Sequence, residues 1–378
     1  MSTDLDDIPE ADRVEGAPHP RDTARLIGQS RAEAAFLEAY NTGRLHHGWL
    51  ITGPRGVGKA TLAWRIARFL LATPPAGDDG LFGAPPPPET LDIAPDHPVA
   101  RRMQAMAEPG LFVLRRAWDD SKKPARMKTV ITVDEARKLK TFFSLSATDG
   151  GRRVVIVDSA DEMNPNAANA LLKLLEEPPA DAILMLISHQ PSRLLPTIRS
   201  RCRELRLDTL PADDMEQALI QAGADVTDPT ALAALSGGSV GEAIRLTNLD
   251  GLDMYRTLLA LFAGAPRIDR PRALALANSV TGKGAEAKLD LLLRLLDLFL
   301  IRLARTGAGA PPIPEAAADE TAILSRLAPN VTAAQGWAAL GAELGGRIRH
   351  GRAVNLDPAA LILDTVLKID QTAAKFAA

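Results

Sequence analysis

The sequence predicts an α/β domain built on a parallel sheet followed by an all-helical half, and three observations carry that prediction. From about residue 24 to 208, short apolar runs alternate with helical patterns, as strands alternate with covering helices in a parallel sheet. Within that region Trp49 to Thr52 runs into Gly53-Pro-Arg-Gly-Val-Gly-Lys59 and then a helical pattern over Thr61 to Leu71, the strand, loop and helix of a phosphate-binding unit. After about residue 209 the strand pattern stops, and Ala- and Leu-rich helical spacing continues to the C-terminus.

The strand candidates in order are Trp49 to Thr52, Leu111 to Leu114, Thr129 to Val133, Arg153 to Val157, Ile183 to Ile187 and Leu205 to Leu207. Residues 73 to 98 hold Pro74, Pro75, Gly77, Gly80, Gly83 and the run Pro85 to Pro88, which predicts an extended surface loop. Gly307 to Pro314 is similarly rich in Gly, Ala and Pro. At 378 residues the chain suggests two or three domains at roughly 150 residues each. The expected division is a sheet domain over 24–208, a small helical domain over 209–250 and a larger helical domain over 251–378. The runs Leu289 to Leu303 and Leu356 to Ile369 are amphipathic, and periodicity alone does not separate core from an oligomer seam.

Composition excludes several function classes. Hydrophobic residues make up 46% and charged residues 24%, the balance of a soluble globular chain. A formal net charge of -3 gives no global pull towards nucleic acid, so contact with DNA has to be local or made through partners. The single cysteine, Cys202, excludes an internal disulfide and a cysteine-based zinc cluster, and fits a reducing cytosol. The N-terminus carries Asp4, Asp6, Asp7, Glu10 and Asp12 without an apolar core, the opposite of a signal peptide, and predicts a disordered acidic lead-in over residues 1–23. Asp290, Arg294, Asp297 and Arg302 interrupt the greasiest stretch, so no membrane role follows.

Gly53, Gly56 and Gly58 let backbone N–H groups wrap a phosphate, and Lys59 adds a point charge to it. Gly-x4-Gly-Lys arises by chance on the order of 0.1 times in a chain this long, and the strand and helix around it lower that further. The alternative is a glycine turn with an exposed lysine. The next position is Ala60, where an NTPase carries a Ser or Thr hydroxyl for magnesium, and Thr61 is turned by about 100° away from it. A second motif is Val154 to Val157 ending in Asp158, a carboxylate placed to steady a nucleotide-bound magnesium. Alone, such an Asp is more often a helix cap, and beside the glycine loop the metal reading becomes the stronger. Cys202 has no indicated histidine partner, since His189 falls in the loop after Ile183 to Ile187.

Five further segments carry a specific resemblance: His46-His-Gly-Trp-Leu-Ile-Thr-Gly53, Ile131-Thr-Val-Asp-Glu-Ala-Arg137, Ala160-Asp-Glu-Met-Asn164, Ala167-Ala-Asn-Ala-Leu-Leu-Lys-Leu-Leu-Glu-Glu-Pro-Pro179 and Ser200-Arg-Cys202. Together they span about residues 25 to 208, and the chain resembles the bacterial DNA polymerase III clamp-loader family of AAA+ proteins. The resemblance implies an AAA+ sheet domain with a helical lid, and a C-terminal collar in a five-subunit ring. It implies that Arg201 is an arginine finger reaching ATP on a neighbouring subunit, where a planar cation stabilises charge on the transferring phosphoryl oxygens. Without the resemblance, Arg201 would join Arg193, Arg199, Arg203 and Arg206 in a solvated basic face. Active members follow the strand-end Asp with a Glu that polarises water, and here that residue is Ser159. Motor subunits carry an Arg after Gly-Ser-x in the lid, and here the pattern is Gly238-Ser-Val-Gly241. This joint deficit matches the delta-prime branch of the family.

The expected role is therefore a non-hydrolysing subunit working with delta-type and gamma/tau-type partners, meeting sliding clamp and primer-template DNA through the complex, in the cytoplasm. Gly53, Gly56, Gly58, Lys59 and Asp158 leave ATP binding without hydrolysis open, and no zinc is expected, since the four-cysteine module of many members is replaced by the Pro-rich loop. Three other readings stand beside it. An active motor subunit needs a hydroxyl at 60 and an acid at 159, an unrelated P-loop enzyme needs its own substrate pocket, and a pure scaffold would have lost nucleotide altogether.

Overall fold

A computed structural model describes residues 10–23, 25–73, 86–121, 126–144, 151–282 and 284–376. The chain forms two compact units, one of residues 1–223 with 239–241 and one of residues 224–238 with 242–378.

In the first unit the elements run α1 (Ser30–Asn41), β1 (Gly48–Thr52), α2 (Lys59–Ala72), α3 (Pro98–Gln104), β2 (Leu111–Arg115), β3 (Trp118–Asp119), β4 (Arg126–Met127), α4 (Val133–Ser144), β5 (Arg153–Asp158), α5 (Pro165–Glu176), β6 (Ala182–Ile187), α6 (Pro196–Arg199), β7 (Arg203–Arg206) and α7 (Ala212–Gln221). Five strands make one sheet in the order β2-β5-β6-β1-β7, and every neighbouring pair is parallel. The side-chain period of two sends Leu50, Val155, Val157, Leu184 and Leu186 to one face, where they meet Ala136 and Leu139 of α4 and Leu171 and Leu175 of α5. The alternate residues face the other way, where Trp49 packs against Phe36 of α1 with ring centroids 5.0 Å apart. Helices on both faces are why these strands read as unbroken apolar runs. The edge strand β7 is blunted by exposed Arg203, Glu204 and Arg206.

Most expected strands form, with ends shifted by one or two residues. Thr129 to Val133 does not. The Glu135 carboxylate reaches back to accept the Thr132 N–H at 2.8 Å, one arm of a capping box, so the helix α4 starts at Val133 and only Ile131 bridges to Met163. The hairpin of β3 and β4 was not expected, since two residues per strand leave no periodicity to read. The Pro-rich segment lies partly outside the described residues. Its described end, 86–97, has neither helix nor strand, and is fastened by Asn41 Nδ2 to the Pro88 carbonyl at 3.0 Å and by Arg65 to Asp92 at 2.9 Å.

The acidic lead-in needs correction. Asp4, Asp6 and Asp7 lie outside the described residues, but residues 10–23 are ordered as turns. Arg115 pairs with Asp12 and, at 2.6 Å, with Glu10, and Arg21 holds Glu10 at 2.9 Å. His19 packs edge-on to Trp64 of α2 at 5.6 Å. Glu10 and Asp12 are counter-ions to Arg115, 105 and 103 positions away, and Glu10 also to Arg21 close by.

The second unit contains α8 (Pro229–Ser236), α9 (Val240–Asn248), α10 (Gly251–Phe262), α11 (Arg270–Asn278), α12 (Glu286–Gly307), α13 (Glu320–Leu327), α14 (Val331–Ala353) and α15 (Pro358–Phe376), with the first two residues of α9 counted in the first unit. The two amphipathic runs become α12 and α15. Phe299 of α12 stacks on Phe262 of α10 at 4.9 Å. Glu320, with no exposed side-chain surface, accepts from Arg302 at 2.6 Å and Tyr255 at 2.5 Å and takes the Ala316 N–H at 2.7 Å. Among the described residues no helix is long and apolar enough to cross a membrane.

Candidate functional site

Two places in the sheet unit gather the chemistry, one at each end of β1. At its carboxyl end the chain enters the glycine loop, the crevice side of a parallel sheet. Gly53, Gly56 and Gly58 all have positive φ, at 137°, 77° and 99°. A Cβ on Gly56 would collide with Ser239 Oγ and stand 3.0 Å from the Gly241 nitrogen, so that position requires glycine because the chain's own backbone comes close. A Cβ on Gly58 would meet Leu26 Cδ1 at 2.7 Å.

Lys59 opens α2 and is 3% exposed. Its ammonium donates to the carbonyls of Gly53, at 2.7 Å, and Pro54. Burial pulls its pKa down to about 8, against the charges of Asp158 and Asp161. Asp158 ends β5 and is 8% exposed. Burial pushes its carboxyl up to about 6, helped by the negative charge of Asp12 and opposed by the hydrogen bond from Ser159 Oγ at 2.9 Å. Asp12 itself is held down at about 2, because its contact with His19 and the Arg115 charge outweigh its burial.

Ser159 Oγ also lies 2.9 Å from His189 Nε2, and the His189 backbone N–H donates to Asp161 Oδ1 at 3.0 Å. Burial, then the Lys59 charge, lowers the imidazole to about 4, so it is neutral near pH 7. A serine beside a neutral histidine resembles a nucleophile and its base. The arrangement fails as one: Ser159 is 4% exposed, its hydroxyl donates to Asp158, and among the described residues the buried His189 Nδ1 has no hydrogen-bond partner to orient the ring.

These residues do not fit a magnesium nucleotide. The lysine is turned into its own loop, and the Gly241 N–H donates to the Gly56 carbonyl at 3.0 Å. Ala60 offers no hydroxyl for the metal, although the Asp158 carboxyl, raised to about 6 by burial, stays mostly ionised near pH 7. The sequence patterns found Gly53, Gly56, Gly58, Lys59 and Asp158, and the structure gathers them. It adds Asp12, Ser239 and His189, which no local pattern marks.

Arg201 is at the opposite end of β1. A Cβ on Gly48, the first residue of that strand, would stand 3.0 Å from the Arg201 carbonyl oxygen. Gly53 is five residue steps on from Gly48, about 16 Å at roughly 3.3 Å each, so Arg201 is beyond reach of its own glycine loop. Its Nη1 donates to the Thr197 carbonyl at 3.1 Å and its Nη2 lies 3.1 Å from Glu176 Oε1. The other basic residues are differently engaged: Arg203 lies over Trp49 at 5.4 Å and Arg206 is 3.8 Å from Asp208. Burial pushes the Cys202 thiol up to about 12, which removes it as a nucleophile.

Comparison with known proteins agrees with the motif pattern. Residues 28–211 match the family model described as DNA polymerase III, delta subunit. The chain is 40% identical over 205 residues to DNA polymerase III subunit delta' of Pseudomonas aeruginosa, covering 53% of this chain and 55% of that protein. It is 32% identical over 264 residues to the Escherichia coli subunit delta', covering 69% of this chain and 72% of that protein. The matched length is thus only about half of the Pseudomonas relative. Among solved structures, a DNA polymerase III gamma subunit-related protein from Thermotoga maritima aligns over 89% of this chain and 99% of its own, at 18% identity and a TM-score of 0.44.

Proposed function

This chain belongs to the family of DNA polymerase III delta-prime subunits, and on that footing we propose that it is a non-hydrolysing clamp-loader subunit supplying Arg201 to the ATP site of a neighbouring motor subunit. The observation that carries the reading is the separation of Arg201 from its own glycine loop by the length of β1, which suits a guanidinium offered outward. The loop end supports it from the other side: no hydroxyl at Ala60, no acid at Ser159 and a lysine bonded to its own carbonyls leave nothing to drive hydrolysis in cis. The same deficits oppose the motor-subunit reading.

In this proposal delta-type and gamma/tau-type subunits are the direct partners, the sliding clamp and primer-template DNA are met through the complex, and the setting is the cytoplasm. Nucleotide retention without turnover is opposed by the site's internal bonds, and the glycine loop serves as a structural turn. Titration of the purified chain with labelled ATP is therefore expected to show no saturable binding up to about 1 mM.

The main test is reconstitution with the partner subunits, clamp and primed DNA. Arg201→Ala is expected to lower DNA-stimulated ATP hydrolysis at least about tenfold, with losses of about 10³–10⁵ as the upper range for an arginine finger. Wild-type hydrolysis and clamp loading by the variant would remove the finger from the proposal.

A further inference from the structure

We propose that Glu176 is the positioning residue for Arg201, fixing the guanidinium in the orientation it needs before a neighbouring triphosphate arrives; this rests on the trans-finger reading above. Glu176 is the last residue of α5. A carboxylate there meets the negative end of the helix dipole, an unfavourable place, so helix stability does not account for it. Arg201 does account for it, with Nη2 3.1 Å from Glu176 Oε1 while Nη1 donates to the Thr197 carbonyl at 3.1 Å.

The two acceptors come from different elements, one from the end of α5 and one from α6. Two points on two elements fix the guanidinium plane as well as its position, and leave its remaining N–H groups for another acceptor. The platform beneath is firm. His47 Nε2 lies within hydrogen-bond distance, 3.0 Å, of the Leu175 carbonyl, and Leu175 is 2% exposed against the sheet. Glu176 thus stands on an anchored turn although its own side chain is 44% exposed.

The pair's exposure also argues against a stability role. Ion pairs at such exposed sites add little to folding, because water and salt screen them. A free arginine loses rotamer freedom when it engages a partner, and an arginine held in advance loses less at the moment of reaction. Orientation already made in cis therefore acts on the rate at the neighbouring site.

The test uses the complete reconstituted complex with clamp and primed DNA. Glu176→Ala is expected to lower kcat for ATP by about threefold to tenfold with KM within about twofold of wild type. Glu176→Gln, which keeps an acceptor oxygen without the charge, is expected to recover at least half of that loss. In an Arg201→Ala background, Glu176→Ala is expected to cause no further change, a result that general damage to α5 would not give. A Glu176→Ala variant with wild-type or raised kcat, or one equally damaging in both backgrounds, would overturn the positioning role while leaving the finger intact. If Arg201→Ala alone leaves hydrolysis untouched, the finger reading fails first and Glu176 loses its object.

Discussion

Asp158 and His189 share contact with the Ser159 hydroxyl and respond to pH in opposite senses. Asp158 has its folded pKa raised from 3.8 to about 6 by burial, so its contribution to stability is complete below pH 3.8 and is lost as pH rises through 6. His189 has its folded pKa lowered from 6.5 to about 4, so its contribution is present above pH 6.5 and is lost as pH falls through 4. Each is on the order of 3 kcal/mol, and across pH 4 to 6.5 they offset one another. Asp158→Asn removes one side of that balance. Relative to wild type, the variant should gain about 2–3 kcal/mol at pH 7 and almost nothing at pH 4, measured by urea unfolding. His189→Gln should shift the profile the other way, and curves parallel to wild type would contradict the coupling. At this scale Lys59 and Asp158 were legible because their roles are tied to local motifs. Asp12 was not, since its meaning depends on Arg115, 103 residues away.

The helix α5 shows what can be read from an element and what cannot. Its start is written locally: Asn164 caps it, accepting the Ala167 N–H at 2.8 Å, and Pro165 stands at the first helical position. Asn164→Ala is expected to lower stability by about 1 kcal/mol in chemical denaturation, and Asn164→Ser to restore most of it. Its buried face, with Leu171 and Leu175 against the sheet, follows from the apolar spacing. The meaning of its end does not, because the Glu176 contact with Arg201 joins residues 25 positions apart across another strand. A similar limit applied at Thr129 to Val133, where an apolar run was expected to be a strand and the Thr132-x-x-Glu135 capping box begins a helix instead. The local bond from the Thr132 N–H to the Glu135 carboxylate decided between two conformations that hydrophobicity leaves equal.

Over the whole chain, each of the two units carries its own core, and the helical unit encloses a charged group that the sheet unit does not share. Glu320 is fully buried and joins Arg302, Tyr255 and the Ala316 N–H, while Arg302 Nη2 also donates to the Ala234 carbonyl at 2.7 Å. Glu320→Ala strands a buried guanidinium and is expected to lower stability by about 3–5 kcal/mol. Amide hydrogen exchange should quicken in α8, α10, α12 and α13, with β1, β5 and β6 unchanged. Faster exchange in the sheet to the same extent would mean that the units do not unfold separately.

The fold class, the strand-loop-helix around Lys59, the missing hydroxyl at Ala60 and the amphipathic helices of the C-terminal half were determined by the sequence alone, because each is a matter of period or spacing within about fifteen residues. Tertiary structure alone decided that Lys59 is turned into its own loop, that the Asp12 charge acts on Asp158, and that Arg201 lies at the end of β1 away from the glycines with Glu176 against it. The physical reason is that burial and charge pairing depend on distances in space. In a parallel sheet those distances are set by strand order, which no local pattern of residues encodes.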